Sequence, residues 1–299
     1  MTIKLGVIGL SEGNGHPYSW SAICNGYSPE HMQACEFPVI PQYLVEQHWP
    51  EARIPGVEVT HIWTQDVALS HRVAKASLIT HVANEPIEML GKIDALLLAR
   101  DDAENHFEFA APFIKAGIPV YIDKPIALSL DGLNALFRLQ QYEGQIFTCS
   151  ALRYAKELML TGGDRERIGR IKHIQATTPK SWEKYAVHII EPVLQIIATP
   201  ADISSAKSRN FAENGRAVSL GFEGGISADF SAFGKDVASP LSIRVHGEIG
   251  WHDLIFKDSF SAFKSALLEF IGGVRTNTCR SPFEFNRQVV SIIESGLRK

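Results

Sequence analysis

The sequence contains no apolar run approaching the roughly 20 residues that a membrane-spanning helix needs. It also lacks the charged start, apolar stretch and small-residue cleavage site of a secretory leader. Neither a span nor a leader is expected, and the expected location is cytoplasmic. Basic runs and aromatic-basic interleaving are missing too, and the net charge is -4, so neither nucleic acid nor an anionic membrane is an expected partner. Cysteine is scarce: Cys24, Cys35, Cys149 and Cys279 are scattered, with no close pair of the zinc or redox type, and read as free thiols. The 11 histidines include no HExxH or comparable ligand spacing, so no metal site is expected. Internal repeats and low-complexity tracts are absent.

What is present is ordinary apolar material in quantity. With 299 residues, 45% hydrophobic and 21% charged, the chain can build two modest cores. Its first half alternates strand-like and helix-like segments. Strands are expected at Lys4–Leu10, Val57–Trp63, Asp94–Ala99, Val120–Ile122 and Gln145–Cys149. Between them, helices are expected near Ser19–Asn25, Ala68–Leu78, Glu104–Ala116 and Leu130–Glu143. Continuous apolar strands alternating with helices predict a doubly wound parallel sheet of the Rossmann type. The Pro-rich stretch Gly26–Pro55 interrupts the rhythm, and Phe37, Tyr43 and Trp49 mark it as an ordered insertion.

The texture changes near Ser150. A helix near Arg153–Leu160, a strand at Ile171–Thr177 and a helical stretch Trp182–Ala198 lead into short strands. These are Ser204–Arg209, Ala217–Phe222, Gly225–Ser231, Ser242–His246 and Asp253–Phe256, followed by helices Phe260–Gly272 and Pro282–Leu297. Strands clustered in this way predict an α+β domain with a mostly antiparallel open sheet. The expected division is residues 1–149 for the parallel-sheet domain and 150–299 for the α+β domain.

Three places carry chemistry. Lys124, in Asp123-Lys124-Pro125, ends a strand at the edge where open α/β sheets bind ligands, and its charge suits a developing alkoxide. A surface lysine is the plain alternative. His188, within SWEKYAVHIIEPVLQII, has the pKa range of a hydroxyl-proton acceptor, and helical spacing sets Tyr185, His188 and Glu191 on one face. A packed core histidine is the alternative there. The third place is the turn after the first strand, where a dinucleotide fingerprint GxGxxG needs glycine for tight turning and close phosphate approach. Gly9 fills its first slot, Ser11 and Asn14 stand in the other two, and Gly13, Gly15 and His16 follow in a wider turn.

The stretch DALLLARDDAENHFEFAAPFIKAGIPVYIDKPIALSLDGLNAL resembles the segment that characterises the glucose-fructose oxidoreductase/inositol dehydrogenase/MocA family. His106 matches the family histidine that opens the next helix, and Asp123 replaces the usual Glu. IFTCSALRY is similar to the family's crossing strand, with Arg153 at a commonly basic position. RIGRIKHI and the tail FKSALLEFIGGVRTNTCRSPFEFNRQVVSIIESG continue the resemblance over nearly the whole chain.

The resemblance implies an NAD- or NADP-dependent oxidoreductase acting on a sugar, inositol or sugar-nucleotide, and a homo-oligomer, either dimer or tetramer. It assigns dinucleotide binding to residues 1–149, and substrate binding with oligomerisation to residues 150–299. It makes Lys124, His188 and Tyr185 the catalytic residues. It sets Gly9, Ser11, Gly13, Asn14, Gly15, His16, Thr64, Asp66, Arg100, Asp101, His106, Asp123 and Lys124 at the cofactor, and Arg153, Trp182, Lys184 and Glu191 at the substrate. Thr64, in place of the acidic residue that meets the ribose of NAD, keeps NADP open. Asp101-Asp102 stands where the family has Pro-Asn and reads equally as a solvated helix start. The sequence also departs from the pattern at Lys184, where the family has aspartate four residues before the histidine. Pro192 is expected to kink the helix or start a new one after His188. A relative that binds a sugar or dinucleotide without net redox turnover, or one that uses bound NAD for elimination or epimerisation, stays open beside the dehydrogenase reading.

Overall fold

The computed structural model describes residues 2–197, 202–211 and 214–298. The chain forms two compact units, one comprising Met1–Ala127, Asp131–Thr148 and Phe263–Pro282, the other Leu128–Leu130, Cys149–Ala262 and Phe283–Lys299.

The first unit is built on a six-stranded sheet in the order β3-β2-β1-β4-β5-β6, with every pairing parallel. Its strands are β1 (Ile3–Ile8), β2 (Val57–Trp63), β3 (His81–Val82), β4 (Ala95–Leu98), β5 (Val120–Ile122) and β6 (Ile146–Phe147). β4 reads ALLL and is buried on both faces, which is why it shows no polar alternation. The strand order reverses between β1 and β4, giving the switch point of a doubly wound sheet. The helices are α1 (His16–Asn25), α2 (Pro29–Gln33), α3 (Val39–Val45), α4 (Val67–Ala76), α5 (His106–Lys115) and α6 (Leu130–Phe137). α2 and α3 are the ordered insertion expected in Gly26–Pro55, and α3 reaches the first turn: Ile40 and Phe37 fill the space a Cβ on Gly15 would need.

In the second unit the strands are β7 (Ile171–Thr178), β8 (Ile203–Phe211), β9 (Gly215–Phe222), β10 (Ser227–Ala232), β11 (Ser242–Gly247) and β12 (Trp251–Ile255). They form a sheet in the order β12-β11-β7-β10-β9-β8, antiparallel except where β10 runs parallel to β7. Helices α7 (Gly162–Ile168), α8 (Trp182–Tyr185), α9 (Val187–Ile197) and α11 (Phe283–Leu297) belong to it, and the long α10 (Ser259–Thr276) precedes α11. α7 is closed by a reciprocal capping box between Thr161 and Asp164.

Several local expectations are corrected. Pro192 neither ends its helix nor starts a new one; α9 runs through it, and the break lies at Ala186, between α8 and α9. All of α9 but Gln195 is buried, so packing offsets the one backbone hydrogen bond that proline removes. The predicted last residue of that stretch, Ala198, lies outside the described residues. Arg153–Leu160 is two short 3-10 turns, Ala151–Tyr154 and Lys156–Leu158, because Ser150 caps the first by accepting from Leu152 N–H. α6 stops at Phe137 rather than Glu143. Phe263–Pro282 groups with the first unit rather than the second: Phe270 packs on Tyr121 and Phe147, and Gly144 lies so close to Cys279 that an added Cβ would sit 2.9 Å from its backbone.

Among the described residues no helix is long and apolar enough to cross a membrane, and no group of three or more His, Cys, Asp or Glu is placed to hold a metal ion. The four cysteines are free.

Candidate functional site

In each unit, expected site residues come together in a polar cluster. In the first, the turn after β1 and the loops after β4 and β5 bring six of the expected residues into contact at the carboxyl edge of the sheet. Ser11 Oγ donates to Asp101 Oδ1 at 2.6 Å and accepts from the Asp101 N–H at 3.0 Å. Lys124 Nζ lies 3.7 Å from Asp101 Oδ2, and Lys124 is only 5% exposed. Asp123 is fully buried, accepting at Oδ2 from Asn14 Nδ2 at 2.8 Å and from His16 Nδ1 at 2.6 Å, and at Oδ1 from the Lys124 N–H at 2.7 Å. Burial alone would raise the Asp123 carboxyl, but His16 and Lys124 beside it outweigh that effect and hold it below the usual carboxylate range. His16 stacks on Trp20 at 4.7 Å and meets Phe263 edge-on at 5.0 Å.

Other expected residues support this cluster from beneath. His106 is fully buried, with its ring nitrogens 2.7 Å from the Arg100 carbonyl and 3.0 Å from that of Ile126, so it joins the loop carrying Asp101 to the loop following Lys124. Arg100 forks onto Asp102, with Nε at 2.9 Å from Oδ1, and lies over the Phe109 ring. Thr64 donates to the Asp66 carbonyl at 2.7 Å, while Asp66 caps α4 by accepting from the Ala68 N–H at 2.8 Å. Between them stands Gln65, which no motif singles out. Its amide clasps Leu10 on both sides, at 3.0 and 2.7 Å, and accepts from Arg100 at 3.2 Å. The signal for it lies only in its position at the end of β2.

The first amides of α1 are not offered to a phosphate. The His16 N–H is taken by Asn14 Oδ1 at 2.8 Å, and Pro17 has none to offer. Gly9 lets the turn pack on the start of α1, since an added Cβ would lie 2.3 Å from Pro17. Gly13, at φ +77 and with no atom within 4 Å of a built Cβ, leaves an open cradle that an L side chain would strain and fill.

In the second unit Ser150 is the hub. Its N–H donates to Glu191 Oε1 at 2.9 Å, and its hydroxyl lies 2.8 Å from His188 Nδ1. Tyr185 meets His188 edge-on at 5.3 Å. Arg153 Nε lies 3.6 Å from Glu191 Oε2, donates to the Tyr154 hydroxyl at 2.7 Å and is flanked by the rings of Tyr154 and Phe285. Lys180, which no motif flagged, donates to the Tyr185 hydroxyl and sits over its ring at 4.6 Å. Its φ of +63 at the end of β7 turns it there, a feature no residue pattern announces. Lys184 lies partly exposed on α8. Trp182, expected at the substrate, is a core residue instead: 1% exposed, its Nε1 donates to the Ile293 carbonyl at 2.9 Å, which leaves no ring surface for a sugar.

Glu191 has a measurable signature. Burial pushes its carboxyl up to about 7, against the pull of the Arg153 charge and the Ser150 N–H. The folded value lies above the unfolded one of about 4.3, so between the two the folded chain keeps a proton that the unfolded chain has lost. Stability on this account falls as pH rises through that window. Urea unfolding at about pH 5 and about pH 8 is expected to show the parent losing about 2–3 kcal/mol relative to Glu191→Gln. Equal pH dependence in both proteins would remove the assignment.

Residues 40–150 match the profile described as an oxidoreductase family with an NAD-binding Rossmann fold. The matched region holds His106, Asp123 and Lys124 but begins after the Gly9–His16 turn. No curated protein sequence matches the chain. Solved structures share its fold. A probable dehydrogenase from Thermotoga maritima superposes with a TM-score of 0.74 at 13% identity, covering 97% of this chain and 94% of that one. For myo-inositol 2-dehydrogenase from Lactobacillus plantarum the values are 0.71, 14%, 98% and 96%. For UDP-N-acetylglucosamine 3-dehydrogenase from Acidithiobacillus ferrooxidans they are 0.70, 13%, 99% and 97%.

Proposed function

We propose, for a chain whose residues 40–150 belong to the oxidoreductase family with an NAD-binding Rossmann fold, a nicotinamide-dependent exchange of hydride with a hydroxyl or keto group of a sugar, inositol or sugar-nucleotide. The observation that carries this reading is Lys124, buried beside Asp101 and Asp123 where β5 ends at the carboxyl edge of a doubly wound sheet. The bound nicotinamide supplies the hydride acceptor or donor.

The turn Gly9–Asn14 would hold the dinucleotide's phosphates, with Ser11, Arg100 and Asp101 near the nicotinamide end and Thr64 and Asp66 toward the adenosine ribose. No carboxylate replaces the Thr64 hydroxyl at that end, so NAD and NADP are both compatible with it. Lys124 would orient the reacting hydroxyl and stabilise its developing negative charge. His188 would accept the hydroxyl proton at Nε2, which requires Nδ1 to carry a proton and donate to Ser150 Oγ; Ser150 then accepts from both His188 and the Leu152 N–H. Tyr185, with Lys180 on its hydroxyl, and Arg153 would meet the substrate's other hydroxyls. His106 would act from beneath by fixing the two loops. The assembly is expected to be a homo-oligomer.

A panel of sugars, inositols and sugar-nucleotides with NAD or NADP, followed at the reduced-nicotinamide absorbance, tests the reading. Turnover with one of them is expected, and with His188 as the proton acceptor His188→Gln lowers kcat about 10²–10⁴-fold. No absorbance change with any member, and no thermal shift with either dinucleotide, would sink it. A thermal shift without turnover would favour a second reading, a binding protein or an enzyme of net non-redox chemistry. The observation behind that reading is the blocked start of α1, where Asn14 and Pro17 leave no amide for an anion.

A further inference from the structure

The two histidines of the clusters differ in what faces Nδ1. At His188 it is a hydroxyl, which can donate or accept and so leaves the ring's tautomer open. At His16 it is the buried carboxylate of Asp123 at 2.6 Å, which can only accept. Nδ1 of His16 must therefore carry a proton, and in the neutral ring Nε2 holds the lone pair. Asp123 is itself locked by Asn14 Nδ2 and the Lys124 N–H, and Trp20 and Phe263 hold the ring plane. The His16 side chain keeps 15% of its surface exposed. Lys124 follows Asp123 directly in the chain, and Asp101 lies beside Lys124. An imidazole oriented by a buried carboxylate is the arrangement that general bases use. In the first unit, Asp123 gives that arrangement to His16.

We infer that His16, in place of His188, is the proton acceptor of the reaction, with Asp123 fixing its tautomer and Nε2 taking the hydroxyl proton of a substrate oriented by Lys124. The inference rests on the oxidoreductase reading. The substrate O–H bond breaks and an N–H bond forms at His16 Nε2. The electron pair of the carbinol C–H bond leaves with the hydride to the nicotinamide, and the carbonyl forms. In the reverse direction the His16 proton returns to the oxygen.

Two measurements on the full chain test it. Nitrogen-15 spectra of the histidine side chains, taken without cofactor, should show His16 protonated at Nδ1, with the assignment made by loss of that signal in His16→Gln. A His16 ring protonated at Nε2 alone would overturn the dyad whether or not any substrate is known. On a substrate that the panel identifies, His16→Gln should lower kcat about 10²–10⁴-fold with KM changed little, and should flatten the acidic limb of the pH profile. An unchanged kcat and pH profile in a folded His16→Gln protein would overturn the proton-transfer role. If His16→Gln does not fold, Asp123→Asn is measured in its place: loss of the fixed tautomer together with a fall in kcat supports the inference, and retention of both overturns it. Failure of the oxidoreductase reading looks different, since the parent would then turn over no substrate.

Discussion

Replacing Lys124 by alanine is expected to lower kcat/KM about 10²–10³-fold on whatever hydroxylated substrate the protein turns over. The ammonium group is buried, and in a medium of low effective dielectric its attraction for a developing alkoxide far exceeds the value in water. Asp101, with Oδ2 at 3.7 Å, moderates that charge. Since the interaction strengthens as the oxygen becomes negative, the loss should fall mainly on kcat rather than on KM. Lys124→Arg should not restore the rate, because a planar fork does not reproduce a compact point charge in a closed site. Steady-state kinetics of both variants, with folding checked by circular dichroism, provide the measurement. A fall of less than about tenfold in Lys124→Ala would place the charge elsewhere.

The second large effect is on stability. Trp182→Ala is expected to cost about 3–5 kcal/mol, read as a lower urea midpoint with an unchanged m value. The indole is 1% exposed, donates to the Ile293 carbonyl and lies against Gly296 so closely that an added Cβ there would approach the ring to 2.3 Å. Removing the ring deletes packing and leaves a cavity, and it strands a carbonyl at the end of α11. KM of the remaining folded protein should stay unchanged. A large KM effect with little loss of stability would instead return Trp182 to the substrate, where its sequence context first set it.

The contrast between these residues shows what the sequence made legible. The parallel sheet was readable because β4 and β5 are apolar without alternation, a pattern that burial on both faces imposes. Lys124 was readable because a strand, a charge and a proline follow one another directly. The short strand β3 and the helix α7 went unread: the first has two residues, and the second depends on a capping box between Thr161 and Asp164 more than on apolar spacing. Trp182 was misplaced because aromatic residues near a candidate base look alike whether they face a ligand or a core. The pairing of His16 with Asp123 spans 107 positions, and Gln65 reaches back 55 to Leu10. No local pattern encodes such distances; they follow from the strand order that brings the ends of β1, β2 and β5 to one edge.

The grouping of Phe263–Pro282 with the first unit has a consequence for how the protein is made. A ribosome completes everything through Thr148 more than 100 residues before Phe270, which packs on Tyr121 and Phe147, and Cys279, which closes on Gly144, emerge. Until then the aromatic surface of β5 and β6 lacks its cover, and the nascent chain must carry it exposed. The second unit has most of its residues out before the first can finish. A truncation at residue 149 thus isolates an incomplete core, and the second unit waits likewise for its own last segment, Phe283–Lys299.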